Sequence, residues 1–503
     1  MISNAVGTER ISQVVGYKIT KGNFNETSPN LPQYVAIFGE ANVEFQDNLS
    51  TTPVEVTSAQ QAGTLYGFGS PIYHVMRILR PVNGGGIGGI KTVVYPQLSP
   101  ESATTKILKV EITGTATANG THTVVIAGRN SIDAQSYSYN VVTGDTPDDI
   151  YTKMENAVNA VIGSPVNASA SEYDVEFESK WAGATAEDLN ISIETNGNTL
   201  GLTYAVSDEQ TAIGTPSISA SLNLIGNVWA TILVNTYGTN TTVMSALEAF
   251  NGIPDPTNPT GRFAAIVMKP FVALTGSTIE DPSSITDSRK ANCTIAICPA
   301  PLSEGLPLEA AANACLLLAR INQDTPHLDI SSLSYPDMPT PTAIGAMSIY
   351  DNRDAIVKKG CSTVDLVNGA YKVMDFVTTY HPVGEIPAQF AYVRSLTIDF
   401  NIRYGYYLLE QQNVEGCAIL TDDQTSDADN TIKPIQWKSI ITAYADDLDN
   451  RALIADPSFM KSSIVVGLST TNPDRLESFF RYKRSGFFRI GSTTAEAGFN
   501  FGN

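Results

Sequence analysis

Histidine and cysteine are both scarce in this chain, with 4 and 5 among 503 residues. His74, His122, His327 and His381 are scattered, with no HExxH and no other ligand spacing, which argues against a zinc site. The cysteines, Cys293, Cys298, Cys315, Cys361 and Cys417, are odd in number and irregularly spaced, so a disulfide framework is not expected and buried thiols are. Cys293 and Cys298 fall on opposite faces of an expected strand, unlike a CxxC metal knuckle. A P-loop and a GxSxG elbow are both missing. No apolar run approaches the roughly 18 residues of a membrane span, and MISNAVGTERIS lacks a basic region followed by an apolar one. The expectation is a soluble cytosolic protein without membrane insertion.

Positive charge is also in short supply. Against 51 acidic residues stand 31 basic ones, a formal charge of −20, which disfavours nucleic acid and anionic membranes as partners. Charged residues are 16% and apolar residues 42% of the chain, a balance that suits a folded protein with much surface hidden in contacts. The length exceeds what one hydrophobic core usually supports, so roughly two to four domains are expected.

Two local patterns invite a chemical reading and fail it. Gly84, Gly86 and Gly89 match GxGxxG, but they follow a helical pattern and precede a strand, whereas a dinucleotide site needs them between a strand and a helix N-terminus. The aspartates Asp422, Asp423, Asp427 and Asp429 lack the glycine and terminal glutamate of a calcium loop and read as solvated charge. No cofactor is called for, and no nucleophile, base or metal set is legible.

What the chain does have is a change of periodicity along its length. YVAIFGE from Tyr34 reads as a buried strand, TSAQQAGTLYG as a helix capped by Thr57 or Ser58, and Ser70–Pro71 as a second helix start. The strand IKTVVYP follows. Between about 99 and 219 strand-like runs alternate with turns, interrupted by one helical stretch, DDIYTKMENAVNAVIG. The α/β pattern then resumes with WATILVN, TTVMSALEAFNG, FAAIVMKP and CTIAICPA, as though a domain were inserted in a loop. Pro307 and Pro387 open two further helices, the second with the apolar stripe Phe390, Val393, Leu396, Phe400 and Tyr407. The expected class is α/β and α+β multidomain. An α/β core, 23–98 and 220–380, carries an inserted mostly-β domain, 99–219, followed by a C-terminal α+β domain, 381–485.

Extended arms are expected at both ends, over 1–22 and 486–503. Ile11, Val15, Tyr17 and Ile19 share one parity, as on one buried strand face, while Phe487, Phe488, Ile490 and Phe499 mark an aromatic tail. Beside that tail lies a basic group, Arg475, Arg481, Lys483, Arg484 and Arg489. It fits either ordinary surface charge or a dock for an acidic partner.

LYGFGSPIYHVM, KWAGATAEDLNISIETNG, VDLVNGAYKVMDFVTTYHPVG and AYVRSLTIDFNIRYGY, in this order along the chain, resemble the contractile-tail sheath proteins of Mu-like bacteriophages. Asp375 departs from that pattern, since a basic residue often stands there in similar sequences. The resemblance implies a non-enzymatic virion subunit that assembles in the host cytoplasm as stacked hexameric rings. Its implied partners are copies of itself, a tail tube protein, and baseplate and tail terminator proteins. Contraction from a metastable state and arms that keep neighbours linked are implied as well. The competing classes are another self-assembling structural protein, such as an adhesin or capsid-like subunit, and a hydrolase with a β-rich appendage.

Overall fold

The structure, a computed structural model, describes residues 29–384 and 387–499. They fall into two compact units, one of Asn30–Tyr404 with 484–499 and one of Gly405–Lys483 with Pro29. The architecture is mixed α/β over several sheets.

The larger unit is organised by a six-stranded sheet in the order Ile295–Pro299, Val272–Ser277, Ile232–Asn235, Tyr34–Glu40, Lys91–Gln97, Val54–Glu55. All neighbours are parallel except the last pair. Near-continuous apolar strands such as AIF and ILV suit this sheet, because helices cover both faces and leave no strand face for water. Phe38 stacks on Tyr95 of the adjacent strand with ring centroids 4.9 Å apart. The covering helices begin where their caps dictate. Ser58 accepts from the Gln61 amide ahead of Ala59–Tyr66, and Ser70 from the Tyr73 amide ahead of Pro71–Leu79. The helix Pro307–Asp324 packs against the same sheet through Leu308, Ala311, Cys315 and Leu318.

Between Lys91–Gln97 and Ile232–Asn235 the chain forms antiparallel sheets instead, two of them with three or more strands. One orders Leu202–Gln210, Ile107–Gly114, Val175–Ser179, Val166–Ala170, and the other Ile191–Glu194, Gly120–Ile126, Ser138–Val141. Alternation decides this: in ILKVEITG, Leu108, Val110 and Ile112 point inward and the residues between them outward. The helix Pro147–Asn159 starts on a Thr146–Asp149 capping box.

This 99–219 segment meets the α/β sheet across a seam of ion pairs. Arg77, on helix Pro71–Leu79, contacts Glu309 at 2.9 Å and Asp337 at 2.7 Å, and Arg129 from the β-rich side reaches the same two carboxylates at 3.2 and 2.5 Å. The Glu309 side chain is only 2% exposed, so its charge depends on these partners. Burial works against the Arg129 charge, but Glu309 and Asp337 hold its pKa above the ordinary value. Asn313 brackets Asp337, accepting from its amide at 3.0 Å and donating to its carbonyl at 2.8 Å. The Val43 amide crosses the seam to the Lys180 carbonyl at 2.8 Å.

Two expected elements are placed differently. FAAIVMKP is not a strand: Ile266 is 99% exposed, and Val272–Ser277 takes the place in the sheet. Buried Arg262 ties this loop down by donating to the carbonyls of Lys269, Gly226 and Val228, geometry that a strand here would break. The long helix runs Val393–Asn413 and does not start at Pro387. The backbone just before it is spent on another partner, since the Thr378 amide donates to the Ala391 carbonyl at 2.7 Å and the Thr378 hydroxyl to the Phe390 carbonyl at 2.7 Å. Phe390 therefore lies outside the helical stripe, and Tyr407 on it is exposed.

In the smaller unit the helix Pro434–Asn450 buries Trp437, Ile441, Tyr444 and Leu448. Tyr406 packs its ring against Trp437 and Phe480, with centroids 5.7 and 5.3 Å away. A hairpin of Val465–Leu468 and Leu476–Phe479 forms a two-stranded antiparallel sheet.

Candidate functional site

The sheet order reverses at Tyr34–Glu40, and doubly wound folds bind their ligands outside the carboxyl ends of strands at such a point. Here that position is taken by the chain itself. Trp181 is fully buried and donates its indole N–H to the Thr185 hydroxyl at 2.9 Å, and Thr185 in turn donates to the Glu40 carboxylate at 3.4 Å. Burial pushes the Glu40 carboxyl up to about 8, against the opposing hydrogen bonds from Thr185 and Ser99. A cavity of about 250 Å³ remains beside it, lined by Thr185, Asp188, Tyr237, Asn240 and Ser277. Among the described residues no group of three or more His, Cys, Asp and Glu is placed to hold a metal ion. The thiols of Cys293, Cys298, Cys315 and Cys361 are buried, which raises the pKa of each, and Cys417 is partly buried.

The C-terminal tail is the other candidate. Its start is fixed to the larger unit by cations. Arg394, on the long helix, donates to the Ser485 carbonyl and hydroxyl, both at 2.7 Å, and to the His327 carbonyl at 2.7 Å. Arg484 forks onto Asp399, donating from Nε at 2.7 Å, and caps the Gln389 carbonyl at 2.9 Å. Arg489 pairs with Asp329 and lies 3.9 Å over the Tyr392 ring. Phe487 is half-buried, with the Arg394 and Arg489 guanidinium groups 5.4 and 5.2 Å from its centroid. Beyond that anchor the chain is irregular, and Phe488, Ile490 and Phe499 are 84%, 82% and 88% exposed. Large apolar side chains standing together in water on an anchored segment are unusual on a protein surface.

The chain is similar to a tail sheath protein. It is 26% identical over 199 residues to the Mu-like prophage FluMu tail sheath protein of Haemophilus influenzae, a match covering 39% of this chain and 39% of that relative. The aligned part thus spans about two-fifths of the relative's length. No family model matches. Among solved structures, the sheath tail protein of Desulfitobacterium hafniense aligns with 93% of this chain and all of its own at 10% identity and a TM-score of 0.44. The anti-feeding prophage baseplate aligns with 97% of this chain and 100% of that one at 10% identity and 0.48. The helical sheath of the same prophage in the contracted state aligns with 97% of this chain and 99% of that one at 9% identity and 0.43. None of the four is described as an enzyme.

Ile11, Val15, Tyr17 and Ile19 lie outside the described residues. The basic group divides. Arg484 and Arg489 are engaged by carboxylates of the larger unit, as above. In the smaller unit Arg475 pairs with Glu477 at 2.8 Å, Lys483 pairs with Asp456 at 2.7 Å, and Arg481 lies 5.5 Å from the centroid of Phe479, all near the surface. Asp375, the departure from the sheath pattern, accepts from the Thr363 hydroxyl at 2.9 Å and stands 4.0 Å from Arg489. Reading the sequence did not single out Arg394, Asp329, Asp399 or the Arg77–Arg129–Glu309–Asp337 cluster. An acidic residue one turn into a helix reads as capping, and only the fold shows that Glu309 meets Arg129 from 180 positions away. No helix among the described residues is long and apolar enough to cross a membrane.

Proposed function

We propose that this chain is the structural subunit of a contractile tail sheath. It polymerises as stacked hexameric rings around a tail tube and contracts to drive the tube through a host envelope, with no catalysis. Its partners are further copies of itself, the tube, and baseplate and terminator proteins. It is assembled in the host cytoplasm and resides in the virion tail. The β-rich segment 99–219 is a peripheral domain inserted in the α/β core, and 1–22 and 486–503 are linking arms.

The observation that carries this reading is the anchored tail with the exposed side chains of Phe488 and Ile490. The hairpin Val465–Leu468 and Leu476–Phe479 supplies the complementary part. Both strands of a two-stranded sheet are edges, and Val465 and Phe479 are exposed on it. A neighbour's arm adding to such an edge gains backbone hydrogen bonds of about 1 kcal/mol net each, together with buried apolar surface. The similarity to the prophage sheath protein supports the same reading.

Electron microscopy of the purified full-length chain tests it. Hollow striated tubes are expected, and chains cut after Ser485 or lacking residues 1–20 should remain folded without forming long tubes. Monomers at every concentration and salt would remove the sheath reading.

A further inference from the structure

Two loops that lead into strands Ile232–Asn235 and Val272–Ser277 are braced into a rigid apolar tip. Arg262, 5% exposed, donates to the carbonyls of Gly226 and Val228 on one loop and of Lys269 on the other. The Lys269 ammonium donates back to the Asn227 carbonyl at 2.6 Å, and the Trp229 indole N–H to the Pro270 carbonyl at 2.7 Å. Within the second loop the Val267 and Met268 amides both donate to the Ala264 carbonyl, a tight turn with Ile266 at its apex, 99% exposed. Leu224, Val228 and Val267 are exposed on the same two loops. One such side chain in water is ordinary, but four on a braced pair of loops are a patch. Its shape is fixed before any partner arrives, so burying it costs little ordering entropy.

A cavity of about 660 Å³ opens where the chain leaves Tyr34–Glu40 and meets the β-rich segment. Val43, Phe45, Phe68 and Ile162 give it apolar walls, with Val43 and Ile162 exposed. Glu44 and Glu178 also line it, against one cation, Lys180, whose ammonium donates to the Ile162 carbonyl at 3.1 Å. The sheet sets tip and cavity apart. Val35, Ile232 and Val272 lie level on parallel strands. The tip precedes that level and the cavity follows Glu40, so at least roughly 16 Å of strand separates them. A chain cannot fill its own cavity with its own tip.

We propose that the Ile266 tip seats in the cavity walled by Val43, Phe45, Phe68 and Ile162 on a second copy of this chain. The contact joins α/β cores head to tail, and it rests on the sheath reading. Two different patches at opposite ends of one sheet make a heterologous contact, which on repetition gives a closed ring or an open helix, as a tube built from one chain requires. The charges agree as well. Lys269 flanks the tip, and the cavity carries two carboxylates against one ammonium, so opposite signs meet at the rim.

The full-length chain provides the test. Because Ile266 is 99% exposed, I266D should leave the protomer folded while raising the critical concentration for tubes at least about tenfold, as for a central interface anchor. Chains carrying I266C and chains carrying I162C, mixed, assembled and treated with a short bismaleimide, should yield digestion peptides joining 266 to 162, above any background from Cys417. Tubes that form from I266D at the unsubstituted concentration, or finished tubes without the 266–162 link, would overturn this contact and leave the sheath reading standing. A link from I162C to F488C chains in its place would give the cavity to the tail and overturn it too. Monomers under every condition would remove both.

Discussion

Arg489 reaches back 160 positions to pair with Asp329, whose side chain is 2% exposed. With Arg484 on Asp399 and Ser485 under Arg394, this pair fixes the first residues of the tail to the larger unit. Ser331 adds a hydroxyl contact to the same guanidinium at 3.3 Å.

R489A should leave Asp329 buried without its cation, at a cost of about 3–5 kcal/mol if the anchor stays closed. The chain can instead release the tail at lower cost, so the expected result is faster proteolysis between 486 and 499 with little change in the melting of the sheet. R489K restores the charge but not the flat stacking on Tyr392, and it should protect the tail only in part. Timed proteolysis read by mass spectrometry distinguishes the three forms.

Glu40, at the end of the strand Tyr34–Glu40, makes the stability of the fold fall at alkaline pH. Its carboxyl is raised from 4.5 to about 8, so the folded chain holds a proton that the unfolded chain releases. Stability contributed by Glu40 is complete below about pH 4.5 and is lost as pH rises through 8. The difference of about 3.5 units corresponds to at most about 5 kcal/mol. E40Q keeps the shape and cannot ionise, so it should melt higher than the unsubstituted chain at pH 9 and nearly level with it at pH 5. Calorimetry at both pH values checks the crossover.

Much of this fold was legible because local chemistry and tertiary need agree. Ser58 and Ser70 cap the helices where the sequence places them, and the alternation of ILKVEITG identifies a half-buried strand. The failures share a cause. FAAIVM is apolar enough for a strand, yet Arg262 holds it as a loop through three carbonyls that no local pattern announces. The residues after Pro387 look helical, yet their backbone is claimed by Thr378. The seam cluster was invisible for the same reason, since each member is an ordinary charge until the fold brings four elements together. The tail aromatics were readable by composition alone, and their exposure was not.

Gly69 marks a close approach of the two sides of the seam. Its φ is +85°, a region that side chains avoid, and a Cβ there would run into the Ser164 carbonyl of the β-rich side. G69A should cost well over 1 kcal/mol, because backbone strain and a backbone clash add. Gly85 offers the control: its φ is +84° but a Cβ would meet open space, so G85A should cost only about 1 kcal/mol. Urea titrations of both variants should show the larger shift in midpoint for G69A.

Of the basic group beside the tail, Arg475, Arg481 and Lys483 lie near the surface of the smaller unit, in a chain of charge −20. The pairs Arg475–Glu477 and Lys483–Asp456 are exposed on both sides, and such pairs contribute little, so exchanging either carboxylate for one on a partner costs little. An acidic tube or neighbouring subunit would be drawn toward them over roughly 10 Å at 0.1 M salt, and less far as salt rises. Rim charges of this kind change the rate of encounter more than the final affinity. The triple substitution R475Q/R481Q/K483Q should therefore slow tube growth several-fold at low salt, converge with the unsubstituted chain at high salt, and leave the finished tubes unchanged. Light scattering across a salt series measures this directly. Equal growth rates throughout the series would reduce the three residues to ordinary surface charge, and tubes of altered diameter would mean that they shape the lattice instead of steering its assembly.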